Sequence, residues 1–245
     1  MKVVALIPAR YGSTRFPAKM LAVLKGKTII RRTFEAALAT DLFDDVCVVT
    51  DDERIYDEIV SNGGKAMMSK KEHETGSDRI AEAAANIEAD VIINVQGDEP
   101  FMQRQSLEEL INVFKNDTAG NVDLASLVQE LHDPEQIKNP NCVKVVLDAN
   151  NYAMYFSRSP IPYHLNDKAK AIYYQHIGVY AFRRKTLLEF AQTPMGIAEN
   201  MEKIEAIRYL ENGKKMKMVH TTTVGIRIDT PEDFRNAERY LEEFK

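Results

Sequence analysis

Between Ala9 and Lys19 the chain sets three cations, Arg10, Arg15 and Lys19, around Gly12, Ser13 and Thr14. A glycine lets backbone amides approach a phosphate, and arginine or lysine neutralises its charge. The parts needed to bind a triphosphate therefore stand in one short stretch. Further along, Val91-Ile92-Ile93-Asn94-Val95 runs into Gln96-Gly97-Asp98-Glu99-Pro100. A hard carboxylate such as Asp98, at the end of an apolar strand, suits Mg²⁺, which takes one or two protein carboxylates plus phosphate oxygens and water. Asp and Pro also mark turns, and spacing alone leaves both readings open. Asp229, in Ile228-Asp229-Thr230-Pro231, is another carboxylate, and nothing local links it to Asp98.

Two familiar phosphate motifs are missing. No Gly-x-Gly occurs, so the dinucleotide fingerprint is absent, which argues against a dinucleotide-dependent oxidoreductase. Gly26-Lys27-Thr28 matches the tail of a P-loop, but Leu21 stands where that motif needs its first glycine. The five histidines show no metal-ligand spacing, so zinc is not expected.

These residues must be carried by a scaffold. Val3 to Ile7 reads as a buried strand, followed by a long polar loop from Ala9 to Gly26. Thr28 caps a helix reaching about Ala39. Val46 to Thr50 is a strand, and Asp51 or Asp52 caps the helix through Val60. Asn62-Gly63-Gly64 is a turn, Ala66 to Met68 a short strand, and Thr75 to Ile87 a helix. Apolar strands alternating with helices indicate a mostly parallel, doubly wound α/β sheet. After about residue 120 the pattern changes. Leu124 to Leu131, Cys142 to Leu147, Ala153 to Ser157 and Ile172 to Phe182 read as strands of an antiparallel or mixed segment. Helices return over Arg183 to Phe190, Glu199 to Leu210 and Pro231 to Phe244, the last behind a Thr230 cap.

Bulk properties agree with a globular α/β chain. Its 245 residues are 44% hydrophobic and 28% charged. No run approaches the ~20 apolar residues of a membrane helix. The formal net charge of -5 excludes a broad nucleic-acid surface. Yet Met1 to Phe34 holds no Asp or Glu and carries eight cations: Lys2, Arg10, Arg15, Lys19, Lys25, Lys27, Arg31 and Arg32. A basic patch in an acidic chain suggests a confined anion site, although Lys25, Lys27, Arg31 and Arg32 read more simply as solvated loop and helix positions. Cys47 and Cys142 do not make a disulfide framework, and a cytoplasmic setting is the simplest.

Pro8-Ala9-Arg10-Tyr11-Gly12-Ser13-Thr14-Arg15-Phe16-Pro17-Ala18-Lys19 resembles the signature loop of the sugar nucleotidyltransferases. Val95-Gln96-Gly97-Asp98-Glu99-Pro100 and Ile228-Asp229-Thr230-Pro231-Glu232-Asp233 are similar to two further motifs of that family. Phe156-Ser157-Arg158, Gln175-His176-Ile177-Gly178-Val179-Tyr180 and the helix around Glu202, Glu205 and Arg208 point to its Kdo (3-deoxy-manno-octulosonate) branch. The likeness runs over nearly the whole chain.

The resemblance implies a nucleotide-diphospho-sugar transferase fold over 1–245. It has a nucleotide-binding part over about 1–120, a strand-rich acceptor and dimer part over about 121–182, and returning helices over about 183–245. It implies a cytidylyltransferase that makes CMP-Kdo and pyrophosphate from CTP and Kdo for lipopolysaccharide, as a homodimer. Arg10, Lys19, Asp98 and Asp229 would be catalytic, the two aspartates holding Mg²⁺. Ala9, Arg10, Gly12, Ser13, Arg15, Lys19, Gly76, Ser77, Arg79 and Gln96 would bind the nucleotide. Gln96, Arg158, His176, Tyr180, Glu202 and Glu205 would bind the sugar, although His176 alone, in an apolar run, reads as a core histidine. Gly76, Ser77 and Arg79 equally read as a helix start with an exposed face.

The family has Gly where this chain has Ala18, an arginine where it has Gln175, and a Gly-x-Gly-Val approach to the second aspartate where it has Gly225-Ile226-Arg227-Ile228. These departures leave 8-amino-3,8-dideoxy-manno-octulosonate or another acidic sugar open as acceptor. Retained Lys19, Asp98 and Asp229 argue against a non-catalytic nucleotide-sugar binding protein.

Overall fold

The computed structural model describes residues 1–13, 15–71, 73, 75–166, 168, 171–222 and 225–243. The chain divides into two compact units, one formed by Met1–Leu107 with the segment from 225 onward, the other by Glu108–Thr222.

In the first unit, β1 (Val3–Ala9) is buried along its whole length, as its unbroken apolar run requires. After it come a 3₁₀ turn at Lys19–Leu21 and a two-residue hairpin, β2 (Val23–Leu24) and β3 (Lys27–Thr28). Lys25 and Gly26 at its tip both have positive φ, 48° and 83°, the pairing that a tight hairpin turn demands. The stretch that mimics a P-loop tail is thus a hairpin turn. Thr28 then caps α1 (Ile29–Ala39), its hydroxyl accepting from the Arg31 amide. β4 (Asp45–Thr50), α2 (Glu53–Ser61), β5 (Ala66–Met68), α3 (Gly76–Ala84) and β6 (Val91–Asn94) follow. Of the two cap candidates, Asp52 caps α2.

β1 pairs in parallel with β4 on one side and β6 on the other, and β4 pairs in parallel with β5. The strand order β6-β1-β4-β5 means that the chain winds one way from β1 and then returns to its other flank. Such a switch point leaves a crevice beyond the carboxyl ends of β1 and β6, where open α/β sheets bind ligands.

α4 (Arg104–Asn116) precedes the second unit's strands. β7 (Leu124–Leu131), α5 (Pro134–Lys138), β8 (Lys144–Leu147), β9 (Ala153–Ser157), β10 (Tyr173–Arg183), α6 (Arg184–Phe190), α7 (Ile197–Glu202), α8 (Ala206–Glu211) and β11 (Met216–His220) complete it. β10 pairs antiparallel with β7 and β8, β8 antiparallel with β9, and β11 parallel with β7. The expected mixed segment is present, with β11 as a strand that the pattern did not reveal.

The expected helix over Glu199 to Leu210 is instead two short helices. Lys203, at φ 53° and ψ 47°, ends α7 in the left-handed region. The Arg158 guanidinium donates to the carbonyls of Glu202 and Lys203, holding the break open.

α9 (Pro231–Glu243) returns to the first unit. Thr230 and Asp233 bond reciprocally at its start, side chain to backbone amide in both directions. The expected end of this helix at Phe244 lies outside the described residues. Ile228 and Ala237 pack with Leu24 and Ile29 in one apolar cluster. Cys47 and Cys142 are both buried and unbridged. Among the described residues no helix is long and apolar enough to cross a membrane.

Candidate active site

The crevice beyond β1 and β6 is a cavity of about 200 Å³ within the first unit. Its walls include Ala9, Arg10, Gly12, Ser13, Arg15 and Lys19 from the loop after β1, Gly76 and Arg79 from α3, and Gln96 and Asp98 from the loop after β6. Asp229 and Arg227 complete it. Thr14 lies outside the described residues. Gly97 makes this assembly possible: a Cβ there would come within 2.9 Å of the Pro8 carbonyl oxygen, so only glycine lets the loop after β6 close on the end of β1. The Thr33 hydroxyl also donates to the Gly97 carbonyl.

The two distant aspartates meet through the backbone. The Ile228 amide donates to the Asp98 carbonyl at 2.9 Å, and the apolar side chain of Ile228 anchors that contact in the core. Lys19 Nζ then lies 2.6 Å from Asp98 Oδ2 and 3.0 Å from Asp229 Oδ1. Lys19 and Asp98 are both buried, and Asp229 is partly exposed. Arg15 reaches Asp229 at 3.3 Å.

Arg227, whose role the sequence reading had missed, places Nε 3.3 Å from Asp98 Oδ2 and 3.2 Å from Asp229 Oδ2. Desolvation raises the Asp229 pKa, but Arg227, Lys19 and Arg15 outweigh it and hold the carboxyl below its ordinary value. Desolvation, and after it Asp98, pushes Glu99 up to about 7. Burial opposes the charge on Arg227, yet Asp98, Asp229 and Glu99 more than offset it.

An ammonium held between two carboxylates shows that they converge on one point. That donor pair suits Mg²⁺, which keeps several waters. Among the described residues no cluster of three His, Cys, Asp or Glu forms. An ion at Asp98 and Asp229 would therefore draw its other ligands from water or phosphate.

Arg10 is exposed. The loop that carries it is pinned next door: Arg54 sits 3.4 Å from the centre of the Tyr11 ring and also bridges Asp52, the α2 cap. Arg79 lines the cavity with much of its guanidinium occupied, Nη2 on Asp51 at 2.7 Å and Nη1 on the Ser69 hydroxyl at 3.2 Å. Ser77 does not line the cavity; it is fully buried, 3.4 Å from Asn94 Nδ2. The helix start lies against the cavity, but this side chain points into the protein. His73 and Thr75, just before that helix start, also line the cavity. Lys25, Lys27 and Arg31 pair with the carboxylates of Glu242 and Glu35, as solvated positions do, while partly buried Arg32 donates to the carbonyls of Leu24 and Lys25 at the β2–β3 hairpin.

The remaining acceptor candidates lie in the second unit. His176 is buried between the rings of Phe156 and Tyr180, 2.9 Å from the Ser126 hydroxyl, and burial lowers its pKa to about 4. It is thus a neutral, hydrogen-bonded core histidine. Tyr180 is buried and also stacks on Phe182. The Glu202 carboxylate accepts from the Ser157 hydroxyl at 2.6 Å and the Arg158 amide at 2.9 Å. Arg158 donates to the carbonyls of Pro140, Glu202 and Lys203. Arg158 and Glu202 therefore fasten β9 to the end of α7. Glu205 is partly exposed at the start of α8.

The arrangement gathers phosphate-binding cations beside a pair of convergent carboxylates at a switch point. That chemistry is transfer of a phosphoryl-type group from a polyphosphate.

Comparison with known proteins agrees. The cytidylyltransferase family model matches residues 4–216. The 3-deoxy-manno-octulosonate cytidylyltransferase of Flavobacterium johnsoniae is 59% identical over 241 residues, 98% of this chain and 99% of its own. The protein of that name from Christiangramia forsetii is 53% identical, covering 98% of this chain and 97% of its own. A solved structure of CMP:2-keto-3-deoxy-manno-octonic acid synthetase complexed with CTP superposes with a TM-score of 0.93 at 37% identity, over 99% of both chains.

Proposed function

Because the chain belongs to the cytidylyltransferase family, we propose that it transfers CMP from CTP to 3-deoxy-manno-octulosonate, releasing pyrophosphate. The observation that carries this reading is one cavity in which the Arg10–Lys19 loop faces the Asp98–Asp229 pair, in a chain whose relatives bear that name. Its product would serve lipopolysaccharide assembly.

In the reaction, the anomeric hydroxyl oxygen of the sugar attacks the α-phosphorus. The bond from that phosphorus to the pyrophosphate oxygen breaks, and the hydroxyl proton leaves to solvent. Arg10 and Lys19 neutralise the β- and γ-phosphates, Gly12 and Ser13 offer amides and a hydroxyl, and Arg15 adds a further cation. Asp98 and Asp229 would hold Mg²⁺, which when bound polarises the phosphate and favours the ionised hydroxyl. The protein's own contribution is positioning and fixed charge.

Of the acceptor candidates, Gln96 lines the cavity and is proposed to meet the sugar there, whereas His176 and Tyr180 are packed among aromatic rings and serve the core of the second unit. The hydrogen bonds of Arg158 and Glu202 give that pair a positioning task, since they fix the corner before Glu205.

A homodimer is part of the proposal. The most exposed large apolar side chains of the described residues, Tyr163, Leu165, Ile197 and Met201, all belong to the second unit, each at least 80% exposed. Sedimentation of the parent chain and of Met201→Asp tests it: a dimeric parent and a monomeric variant are expected, and a monomeric parent sinks it. A reducing, cytoplasmic setting suits two buried, unbridged cysteines.

Pyrophosphate release with CTP, UTP, ATP and GTP, each against Kdo, 8-amino-Kdo and sialic acid, tests the whole reading. Release with CTP and Kdo is expected. No release with CTP and any of the three acids would overturn it.

A further inference from the structure

Arg227 stands where the sugar nucleotidyltransferase pattern has a glycine, and its side chain lines the cavity. Its tether is through Nε, which contacts both Asp98 and Asp229. Among the described residues its terminal nitrogens make no hydrogen bond to protein, and its side chain lines the cavity beside the phosphate loop.

A guanidinium anchored at Nε presents its remaining N–H groups in a rigid fork, the geometry that matches two oxygens of one phosphate. Arg79 and Arg158 offer a contrast, because their terminal nitrogens already bond to protein acceptors.

We propose that Arg227 is a phosphate-binding residue of this site, holding the β- or γ-phosphate of CTP and the pyrophosphate that leaves. The inference rests on the cytidylyltransferase reading and assigns a residue that a glycine-bearing relative lacks. An ammonium at this position would keep charge but lose the fork.

The test is titration calorimetry with Mg²⁺ present and no acceptor sugar, using CTP, inorganic pyrophosphate and CMP against the parent chain, Arg227→Met and Arg227→Lys. Losing charge-assisted hydrogen bonds should weaken CTP and pyrophosphate by about tenfold to a hundredfold in Arg227→Met. CMP, which lacks those phosphates, should stay within about twofold and also shows that the variant is folded. Arg227→Lys should fall between. Unchanged pyrophosphate affinity in Arg227→Met, or an equal loss for CMP, overturns the proposal and leaves Arg227 as a counter-ion to the aspartates. A parent chain that binds no CTP refutes the cytidylyltransferase reading instead.

Discussion

The ammonium of Lys19 sits 2.6 Å from a carboxylate oxygen of Asp98, and both groups are buried. The same ammonium reaches Asp229 at 3.0 Å, so a single side chain joins the phosphate loop to both carboxylates. A buried charge is tolerated only with such partners.

Asp98→Asn keeps the shape of the site and removes one carboxylate charge. Pyrophosphate release should fall by about a hundredfold or more, the scale of losing one fixed electrostatic contact to a transition state. CTP affinity should change by less than about tenfold, because Arg10, Arg15 and Lys19 remain. Turnover rates and calorimetric affinities, measured on the same preparation, decide the matter. Parent-like turnover would rule out the metal role of Asp98.

The second carboxylate and its motif were legible only through resemblance. Asp98 announced itself by following an apolar strand. Asp229 reaches it through a backbone hydrogen bond between segments far apart in the chain. Periodicity reports which face of an element is buried and says nothing about such a non-local pairing. The same limit hid Arg227, whose residue type was plain and whose partners were not. The break at Lys203 was invisible because its apolar neighbours keep helical spacing across it, and a carbonyl-binding arginine from another strand holds it open. The parallel strands β1, β4 and β6, by contrast, were readable from unbroken apolar runs that only a doubly covered sheet can bury.

Ala18 occupies the left-handed region at φ 53° and ψ 27°, where its methyl is unfavourable. The chain thus enters the Lys19–Leu21 turn through an alanine in a glycine conformation. Ala18→Gly should raise stability by roughly 0.5–1 kcal/mol, after allowing for the larger unfolded-state entropy of glycine. Thermal unfolding should move up by about 1–4 °C. A lower midpoint would contradict the strain at this position.

His176 makes stability depend on pH. Burial takes its folded pKa to about 4 from the ordinary 6.5. As pH falls below 6.5 the unfolded chain takes up this proton first, so stability is lost between about 6.5 and 4 and levels off below. The slope from this group is at most about 1.4 kcal/mol per pH unit. Urea unfolding of the parent and of His176→Gln at several pH values from 7.5 downward should show a shallower loss in the variant. Parallel curves would mean that the imidazole is not held neutral.

Arg208 and Glu199 form a bidentate buried pair, with bonds of 2.6 and 2.7 Å, and the Arg208 guanidinium lies over the Phe190 ring. Glu199→Ala leaves that arginine buried without its carboxylate and should destabilise by about 3–5 kcal/mol. Replacing both, Glu199→Met with Arg208→Leu, should recover most of the loss. Denaturant midpoints of the three chains settle the comparison, and a double variant no better than the single one would refute it.

The hydrogen bond from Ile228 to Asp98 also sets an order of events during synthesis. By the time residue 107 has been made, the phosphate loop, α3 and Asp98 are already in the chain. Asp229 and Arg227 are translated only after the whole second unit, and α9 must follow before Ile228 finds its apolar anchor. A partly translated chain therefore carries most of the cavity without its second carboxylate. If Asp229 carries the role proposed for it, catalytic competence would arrive late on the ribosome, with α9, rather than growing as the chain lengthens.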